Sequence, residues 1–435
     1  MSKPPLISIP LDIPDVQLLQ TDQTQAGEYI LTIESTLKST TCHQCGRTIT
    51  DLHGVDKPRL LRHLPIFGRP VFLRIRPKRF RCPYCDDHPT TTQRLEWYDP
   101  AALHTKAYER HLMLQRINAT FTDVTEKEDV SYDALVSILD RWVATTVDWT
   151  ALEAIVTLGI DEIALRKGHR AFVAIITGRT AAGRLYVLAV LADRLKETVA
   201  AWLQAIPDTQ RRQIRTVCTD MWEGYVNAVR ETLPGALIVI DRFHVARQYR
   251  DAVDDLRVQG VRRLAKELPQ AQQSELKDTL WPFRKRAGEL TPDEQQRLER
   301  LLQHSPTLAT AYQLREELTG LFDTARSKAD GLHRLRFWKA RVARSGLRCF
   351  DGFVKLLERW QDLIANYFKD HQTSGFVEGL NNKLKVFKRR CYGLRDVGRL
   401  FQRLTLDVEG YRRFSPWTST THSIWALSRQ SQKNL

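Results

Sequence analysis

Hydrophobic positions follow two different periods along this chain, and each period predicts a different kind of secondary structure. Near the N-terminus, Val71, Leu73 and Ile75 alternate with phenylalanine and arginine, which predicts a strand over residues 71–76. Farther on, apolar residues recur every three or four positions and predict helices at 106–116, 121–127 and 132–143. The first 40 residues are interrupted by prolines and have strand character only in part.

Between residues 155 and 241 the pattern changes to short apolar, β-branched runs separated by two helical stretches. The predicted order is strand, strand, strand, helix, strand, helix, strand, which is the order of a ribonuclease-H-like domain. From 242 to 370 the chain is predicted to be almost wholly helical, with breaks at Pro269, Pro282, Pro292 and Pro306. A last helical stretch, 374–412, is strongly basic, and the tail after Ser415 is polar.

Acidic residues stand on two of these predicted strands. In the ribonuclease-H order the first and fourth strands are neighbours, so Asp161 on the first and Asp220 at the end of the fourth are expected to converge. Neighbouring carboxylates repel each other unless a cation lies between them, and Mg²⁺ or Mn²⁺ accepts such oxygen ligands. Two ions there could stabilise the attacking and leaving oxygens of phosphoryl transfer.

Ordinary explanations for the acids stay open at this point. Glu162 and Glu223 can be solvated charges at a strand end and a helix start. Asp241 can cap the segment DRFHVARQ, in which His244 and Arg247 follow it. The pattern alone favours neither a metal role nor a structural role for Asp161 and Asp220.

Four of the seven cysteines fall in two CxxC pairs, Cys42 with Cys45 and Cys82 with Cys85. Two such pairs can supply four thiolates in tetrahedral geometry, which predicts a structural Zn²⁺ site, and the alternative is two accidental pairs of buried thiols. Residues 57–81 hold nine Lys or Arg and no acid. Beside a zinc ribbon this predicts a phosphate-contacting surface, with Arg74, Arg76, Arg79 and Arg81 as candidates.

The helices that follow are typical of a helix-turn-helix. Ser131 is predicted to cap the last of them, and Leu135, Ile138 and Leu139 form its apolar stripe. Arg141 near its end is a candidate DNA contact. The alternative is a plain helical hairpin whose two helices only pack together.

Charge narrows the class of partner. The chain has 435 residues, and 66 Lys and Arg against 51 Asp and Glu give a net charge of +15. This excess predicts a polyanionic partner, with nucleic acid foremost. The longest apolar run, Leu185 to Ala192, is too short to cross a bilayer, and the proline-rich N-terminus lacks the features of a secretory signal, so no membrane role is expected.

Four motifs together resemble the ISL-three-type insertion-sequence transposases. They are GIDE at 159–162, CTDMWEGY at 218–225, DRFHVARQ at 241–248 and GFVEGLNNKLKVFKRRCYGLRD at 375–396. The CxxC pairs followed by a helix-turn-helix are similar to that family too. The resemblance implies an Asp-Asp-Glu triad of Asp161, Asp220 and Glu378, with Asp241 as the alternative second acid. It also implies that the helical stretch is an insertion between the second acid and the glutamate.

The basic run beyond Glu378 agrees with that role. Its cationic side chains are expected to neutralise phosphates next to the cut, and the alternative is a solvated helix. The candidates are Lys383, Lys385, Lys388, Arg389 and Arg390.

The expected fold is therefore α/β, a ribonuclease-H-like catalytic domain interrupted by a large all-α insertion and preceded by a zinc ribbon and a helix-turn-helix. The expected boundaries are 1–98 for the zinc-ribbon region, 99–150 for the helix-turn-helix, 151–248 and 371–414 for the catalytic domain, 249–370 for the insertion and 415–435 for the tail.

The predicted function is a DNA transposase that binds terminal inverted repeats and performs metal-dependent cleavage and strand transfer. Its expected partners are double-stranded DNA and further copies of itself, in a homodimer or larger synaptic assembly. The resemblance places it in the bacterial cytoplasm, at the nucleoid. Two rivals stay open: an inactive zinc-ribbon regulator that only binds DNA, and a structure-selective nuclease on the same fold.

Overall fold

The computed structural model describes residues 10–164, 172–273, 276–369 and 396–415. The chain divides into two compact units. The first runs to Val143 and resumes at Glu409, and the second comprises Ala144–Val408.

The first unit begins with nine strands. They are β1 (Val16–Gln23), β2 (Tyr29–Ser35), β3 (Thr40–Thr41), β4 (Thr48–Ile49), β5 (Asp51–Val55), β6 (Arg59–Ile66), β7 (Arg69–Ile75), β8 (Lys78–Arg81) and β9 (Thr90–Thr92). A four-stranded sheet has the order β1-β2-β7-β6, while β3-β4 and β5-β8-β9 form two smaller sheets. The predicted strand at 71–76 is confirmed as β7, whose Val71, Leu73 and Ile75 are buried in the sheet's core. The pattern missed most of this sheet, including β1 and β2.

Three helices complete the described N-terminal part: α1 (Lys106–Arg116), α2 (Phe121–Glu128) and α3 (Tyr132–Trp142). They agree with the predicted helices to within a residue. The Ser131 hydroxyl accepts a hydrogen bond from the Ala134 amide at 3.2 Å, so the predicted cap of α3 is confirmed. Thr120 and Asp123 form a capping box at the start of α2. The apolar faces meet in a core that includes Val124, Leu135 and Ile138.

The second unit contains a five-stranded sheet of β10 (Ile155–Ala164), β11 (Phe172–Thr180), β12 (Leu185–Leu191), β13 (Thr216–Thr219) and β14 (Leu237–Ile240). Its order is β12-β11-β10-β13-β14. The first three strands pair antiparallel, whereas β13 runs parallel to both β10 and β14. The predicted succession of strands and helices is confirmed, and the first and fourth strands of this sheet are neighbours as expected.

Helices cover both faces of this sheet. Three follow its strands in sequence: α4 (Lys196–Gln204), α5 (Asp208–Arg211) and α6 (Glu223–Thr232). Val199, Leu203 and Val226 of α4 and α6 share a core with the buried strand residue Leu158. On the other face, Leu400, Phe401 and Leu404 of α14 (Val397–Phe414) pack against Val173, Ile175, Val187 and Val190. Burial on both faces explains why these strands are apolar almost throughout.

The stretch from Arg242 onward is helical where it is described. Its α-helices are α7 (Arg242–Glu267), α8 (Gln270–Gln273), α9 (Leu280–Arg284), α10 (Pro292–His304), α11 (Pro306–Thr324), α12 (Lys328–Ser345) and α13 (Asp351–Ala365). Short 3-10 helices occupy Trp149–Ala151, Ala287–Glu289, Arg348–Phe350 and Asn366–Lys369. Pro292 and Pro306 occupy the first position of their helices, where a missing N–H costs nothing. Pro282 was predicted to be a break but lies inside α9, close enough to its start to be tolerated for the same reason.

Candidate active site

Two aspartates meet where the parallel pairing of β10 with β13 ends. The register of β10 and β13 pairs Ile160 with Thr219, so the next residues along each strand are Asp161 and Asp220. Helix α7 begins directly after β14, the strand on the other side of β13, and its first turn carries His244. One ligand atom from each of Asp161, Asp220 and His244 lies within 4.8 Å of the others. The predicted convergence of Asp161 and Asp220 is therefore seen, with a histidine beside them.

Asp241 is the N-cap of α7, as one reading of the sequence predicted. Its Oδ1 accepts a hydrogen bond from the Phe243 amide at 2.8 Å, and the residue is buried. Asp241 also lines the small cavity that Asp161, Asp220 and His244 share. Asp241 thus caps the helix and also lies close enough for its charge to affect Asp161. Its role as the alternative second acid stays a prediction.

Burial makes the two carboxyl groups reluctant to ionise. Desolvation raises the pKa of Asp220 to about 7, and His244 opposes this shift while Glu162 and Asp161 add to it. Desolvation also raises the pKa of Asp161. Here too His244 lowers the pKa, whereas the charge of Asp241 raises it further. Asp220 Oδ1 is shielded from solvent and has no hydrogen-bond partner in the described part of the chain. A buried, unpartnered carboxylate oxygen facing a second carboxylate fits a divalent cation, which would supply the missing partner.

The neighbouring acids have partners of their own. Glu162 accepts two hydrogen bonds from Arg194, at 2.8 and 2.9 Å. The same guanidinium lies 4.3 Å from the ring centre of Phe172 and 4.5 Å from that of Trp222. Glu223 forms an exposed ion pair with Arg359. These contacts give both acids structural roles as paired charges, whereas the sequence suggested solvated charges at a strand end and a helix start.

The third acid of the implied triad, Glu378, lies outside the described residues, together with Lys383, Lys385, Lys388, Arg389 and Arg390. His244 was given no role in the site by sequence reasoning. The signal that could have found it is its position: it follows Asp241 by three residues, one helical turn beyond the cap of a helix that starts at the same sheet edge.

The four paired cysteines form a second cluster, in the first unit. Cys42 follows β3 and Cys82 follows β8. The sulfur atoms lie 4.0 Å apart for Cys42 and Cys85, and 3.6 Å apart both for Cys45 and Cys82 and for Cys82 and Cys85. Four thiolates at tetrahedral zinc, each about 2.3 Å from the metal, stand about 3.8 Å from one another. The spacing therefore fits a closed structural Zn²⁺ site.

Ionisation of these thiols is uneven. The backbone amide of Cys45 points at the Cys42 sulfur and lowers the pKa of Cys42 to about 6. Desolvation and hydrogen bonds with the other three thiols raise the pKa of Cys85 to about 12. Four thiolates this close cannot all carry charge without a cation, and zinc ligation deprotonates thiols outright.

Two family models match the chain. A transposase model of the ISL3 type matches residues 158–404, more than half of the sequence, and a model described as the zinc-finger of transposase IS204/IS1001/IS1096/IS1165 matches residues 38–85. The chain belongs to the ISL3 family of insertion-sequence transposases. The predicted family is thus confirmed, and the matches contain Asp161, Asp220 and His244 in one case and all four paired cysteines in the other.

Individual relatives agree with this. The transposase for insertion sequence element IS1001 of Bordetella parapertussis is 28% identical over 393 residues, 88% of this chain and 92% of the relative. The transposase for IS1557 of Mycobacterium tuberculosis is 24% identical, covering 86% of this chain and 87% of the relative. Among solved structures, the Drosophila P element transposase strand transfer complex covers 72% of this chain and 92% of that chain at 12% identity. Its TM-score of 0.36 is too low to establish a shared fold.

Membership of a transposase family implies a nuclease or transferase activity. The predicted DNA-contacting arginines of this transposase differ in what they touch. Arg74 and Arg76 are exposed, whereas Arg79 donates to the Thr90 hydroxyl at 2.6 Å and Arg81 pairs with Asp51 at 2.9 Å. Arg141 forms an ion pair with the buried Glu109, which also accepts from the Trp142 indole at 2.8 Å.

As for membranes, the described helices of the transposase include none with both the length and the apolar character needed to span one.

Proposed function

We propose that this transposase binds the terminal inverted repeats of its own insertion sequence, cleaves a phosphodiester bond there and joins the freed end to target DNA. The proposal assigns the five-stranded sheet and its helices to a ribonuclease-H-like catalytic domain. The observation that carries it is the side-by-side placement of Asp161 and Asp220, with a buried carboxylate oxygen that lacks a partner among the described residues. A site of this kind suits hard divalent cations, Mg²⁺ or Mn²⁺.

In this mechanism Asp161 and Asp220 would hold the divalent ions, with Glu378 as the third acid. When bound, such ions supply a water of lowered pKa and stabilise charge on the leaving oxygen. A water oxygen attacks phosphorus, the bond to the 3′ oxygen breaks, and that oxygen leaves as a 3′ hydroxyl. In strand transfer the 3′ hydroxyl attacks a target phosphodiester and displaces the target's own 3′ oxygen.

The chain's own side chains then divide the remaining work. His244 faces the two aspartates and contributes either a ligand nitrogen or a hydrogen bond to the reacting phosphate. Arg194 neutralises Glu162 and so keeps a third full negative charge away from the incoming phosphate. Asp241 holds the first turn of α7 in place, which positions His244.

The first unit is assigned to end recognition. A structural Zn²⁺ on the four paired cysteines would hold the ribbon, whose exposed Arg74 and Arg76 contact phosphates together with Arg79 and Arg81. Helices α2 and α3 form the proposed helix-turn-helix, with Arg141 near its end. Two transposon ends must be held at once, so a homodimer or larger assembly on double-stranded DNA is the working form, acting in the bacterial cytoplasm at the nucleoid.

Charge-removing substitutions test the acids. Asp161→Asn and Asp220→Asn preserve side-chain volume and weaken ligation of the ion. We expect each variant to bind end DNA within about twofold of wild type and to lose cleavage and joining by roughly 100-fold or more in Mg²⁺. Gel-shift titrations and strand-cleavage assays on end DNA measure both. Glu223→Gln, which alters an exposed acid paired with Arg359, is the matched control and retains activity.

Three results would redirect the proposal. If Asp241→Asn abolished cleavage while Asp220→Asn cut normally, Asp241 would be the second acid. A wild-type protein that binds ends but never cuts in Mg²⁺ or Mn²⁺ would be a regulator. Cleavage without joining of the 3′ hydroxyl to target DNA would indicate a nuclease.

A further inference from the structure

A cleft of about 520 Å³ lies between the first half of α7 and the helices α9 and α11 of the second unit. Its inner wall is apolar: Phe243, Val253 and Phe283 contribute, and the last two are buried. Four arginines and two aspartates supply the charged part of the lining. An apolar wall with a basic rim matches a ligand that carries both flat rings and negative charge.

Two of the four arginines serve the fold. Arg315 is almost fully buried and donates to the backbone carbonyls of Phe283 and Lys285. Arg284 pairs with Asp254 at 2.6 Å. These contacts hold α9 and α11 in place and so shape the cleft, but they leave little charge to offer to a ligand.

The other two arginines face water. Arg247 is 64% exposed and lies 3.4 Å from Asp251, itself 68% exposed. A pair this exposed is weak, so a phosphate can replace the carboxylate. Arg250 is exposed and makes no ion pair with any residue that the structure describes. The cleft thus presents two cationic side chains that are available to an anion.

The position of these arginines ties the cleft to the aspartate cluster. His244, Arg247 and Arg250 follow one another at intervals of three residues on α7. At a helical rise of about 1.5 Å per residue, Arg247 lies about 4.5 Å and Arg250 about 9 Å farther along the axis than His244. Phosphates on one DNA strand advance about 3.4 Å per nucleotide along a duplex axis. A strand with one phosphate at the aspartates can therefore place others, one to three nucleotides away, beside these arginines.

An exposed tryptophan lies beside Arg284, one of the arginines that line the cleft. Trp281 of α9 is 65% exposed, and the guanidinium carbon of Arg284 lies 5.9 Å from its ring centre. A large apolar ring in water next to a cationic cleft is the combination used to bind single-stranded nucleic acid, because bases stack on the ring while arginines hold the phosphates.

We propose that this cleft binds an unpaired stretch of DNA next to the cleavage point, with Arg247 and Arg250 on its phosphates and Trp281 stacked on a base. The inference rests on the proposed function for the identity of the strand. Its chemistry, a single-stranded polyanion with stacking bases, follows from the cleft itself.

The test uses the full-length protein and a fluorescein-labelled oligothymidylate of about twelve nucleotides, within the usual site size of single-strand binders. Replacing Arg247 and Arg250 with Ala is expected to weaken binding at least tenfold near 0.1 M salt. The slope of log K against log salt should fall by about 1.4, since each single-strand phosphate contact contributes about 0.7. Fluorescence anisotropy over a salt series measures both quantities.

Matched controls separate this effect from general loss of charge. Arg262 and Arg263 are exposed on the last part of the same helix, and Arg263 has its own partner four residues on, Glu267. Replacing both with Ala changes the charge equally and should alter affinity less than twofold. For stacking, Trp281→Ala should weaken binding at least fivefold and Trp281→Phe should retain most of it. Phe337→Ala, at a ring 60% exposed on α12, should have no effect.

A gain of affinity excludes misfolding as the explanation. Asp251→Asn removes the carboxylate that competes for Arg247 and should strengthen oligothymidylate binding two- to fivefold. An unchanged salt slope in the Arg247 and Arg250 double variant would overturn the cleft as a DNA site, as would a wild-type protein that does not bind the oligonucleotide. An arginine effect without a Trp281 effect would overturn the assignment to a single strand.

Failure of the proposed function is read separately, because oligothymidylate binding requires neither end sequence nor cleavage. That failure appears as wild-type protein that never cuts its ends, whatever the cleft variants do. Failure of the cleft appears as variants that bind like wild type, whether or not the protein cuts.

Discussion

Asp220 carries a carboxyl group whose ionisation opposes folding. It follows the buried strand β13, and desolvation raises the pKa of its carboxyl group to about 7. The folded protein therefore keeps a proton on this group to a higher pH than the unfolded chain, whose aspartates titrate near 3.9. Between these two values the unfolded state binds fewer protons, so stability falls as the pH rises through that window.

Removing this charge should stabilise the metal-free protein at high pH. Asp220→Asn is expected to raise the free energy of unfolding relative to wild type by up to about 4 kcal/mol at pH 8, and by much less at pH 5. Thermal melts in buffer with no added metal ion measure the difference.

The control for that experiment is Glu223→Gln, which alters an exposed acid. Its effect on the free energy of unfolding should be the same at both pH values. Adding Mg²⁺ or Mn²⁺ should stabilise wild type more than Asp220→Asn, because an ion that binds only the folded state shifts the equilibrium toward it. An Asp220→Asn protein with the same pH dependence as wild type would show that this carboxyl is not responsible.

At the scale of elements, short strands bring the four paired cysteines together. Strands β3, β4 and β9 have two or three residues each, and the small core around Cys42, Ile49, Phe80 and Cys82 holds few other side chains. A core this small provides little hydrophobic stabilisation. Metal ligation contributes folding free energy directly in such modules.

Zinc content tests this account. Cys82→Ser is expected to lose the single Zn²⁺ per chain, lower the melting temperature and abolish specific binding to end DNA. Elemental analysis of freshly purified protein and gel-shift assays measure the outcome. Cys349→Ser, at a cysteine in the second unit outside the cluster, should keep both zinc and binding. Wild type that is purified without zinc would contradict the site.

In the second unit, helix α7 is the element that positions residues of the candidate site. Asp241 caps it directly after β14, so the start of the helix is fixed to the sheet edge that carries Asp161 and Asp220. One turn later it presents His244, and over the next two turns it presents Arg247 and Arg250 of the proposed cleft. A substitution of the cap residue would therefore displace the first turn of α7, with His244, more than the rest of the helix.

The whole molecule carries a net charge of +15. This charge favours binding to any polyanion, and the affinity of such binding depends on the salt concentration. The basic run beyond Glu378 is one of two stretches in which this charge is dense, with five Lys or Arg in residues 383–390 as in residues 74–81. Replacing Lys388, Arg389 and Arg390 with Ala should weaken binding about equally for all DNA sequences. Each lost duplex phosphate contact should reduce the slope of log K against log salt by about 0.9.

The matched control removes three charges from exposed positions elsewhere: Arg262, Arg263 and Lys266 of α7. Salt titrations on end DNA and on unrelated DNA compare the two triple variants. Equal slopes for the basic-run variant and wild type would mean that these three side chains are merely solvated.

The local sequence pattern was sufficient to predict those features that depend on interactions between residues close in sequence. Alternation predicted β7, helical spacing and the Ser131 cap predicted α3, and the order of apolar runs predicted the five strands of the second sheet. The CxxC spacing predicted that the two sulfurs of each pair lie close, because each knuckle is a short-range turn, whereas the meeting of the two pairs spans about 40 residues. The motifs also identified the family, since their residue types and offsets are readable without coordinates.

Long-range pairing decided the rest. The sequence indicated strand character only in part for β1 and β2, because β2 pairs with β7, which is distant in sequence, and β1 reaches the sheet only through β2. The order of the elements predicted that Asp161 and Asp220 converge, and the parallel register of β10 and β13 agrees with it, but only the start of α7 next to β14 added His244. Arg194 reached Glu162, and Arg141 reached Glu109, through contacts between separate elements. The cleft joins residues of α7, α9 and α11. Such contacts depend on how all the elements of the unit pack together. A short stretch of sequence therefore does not predict them.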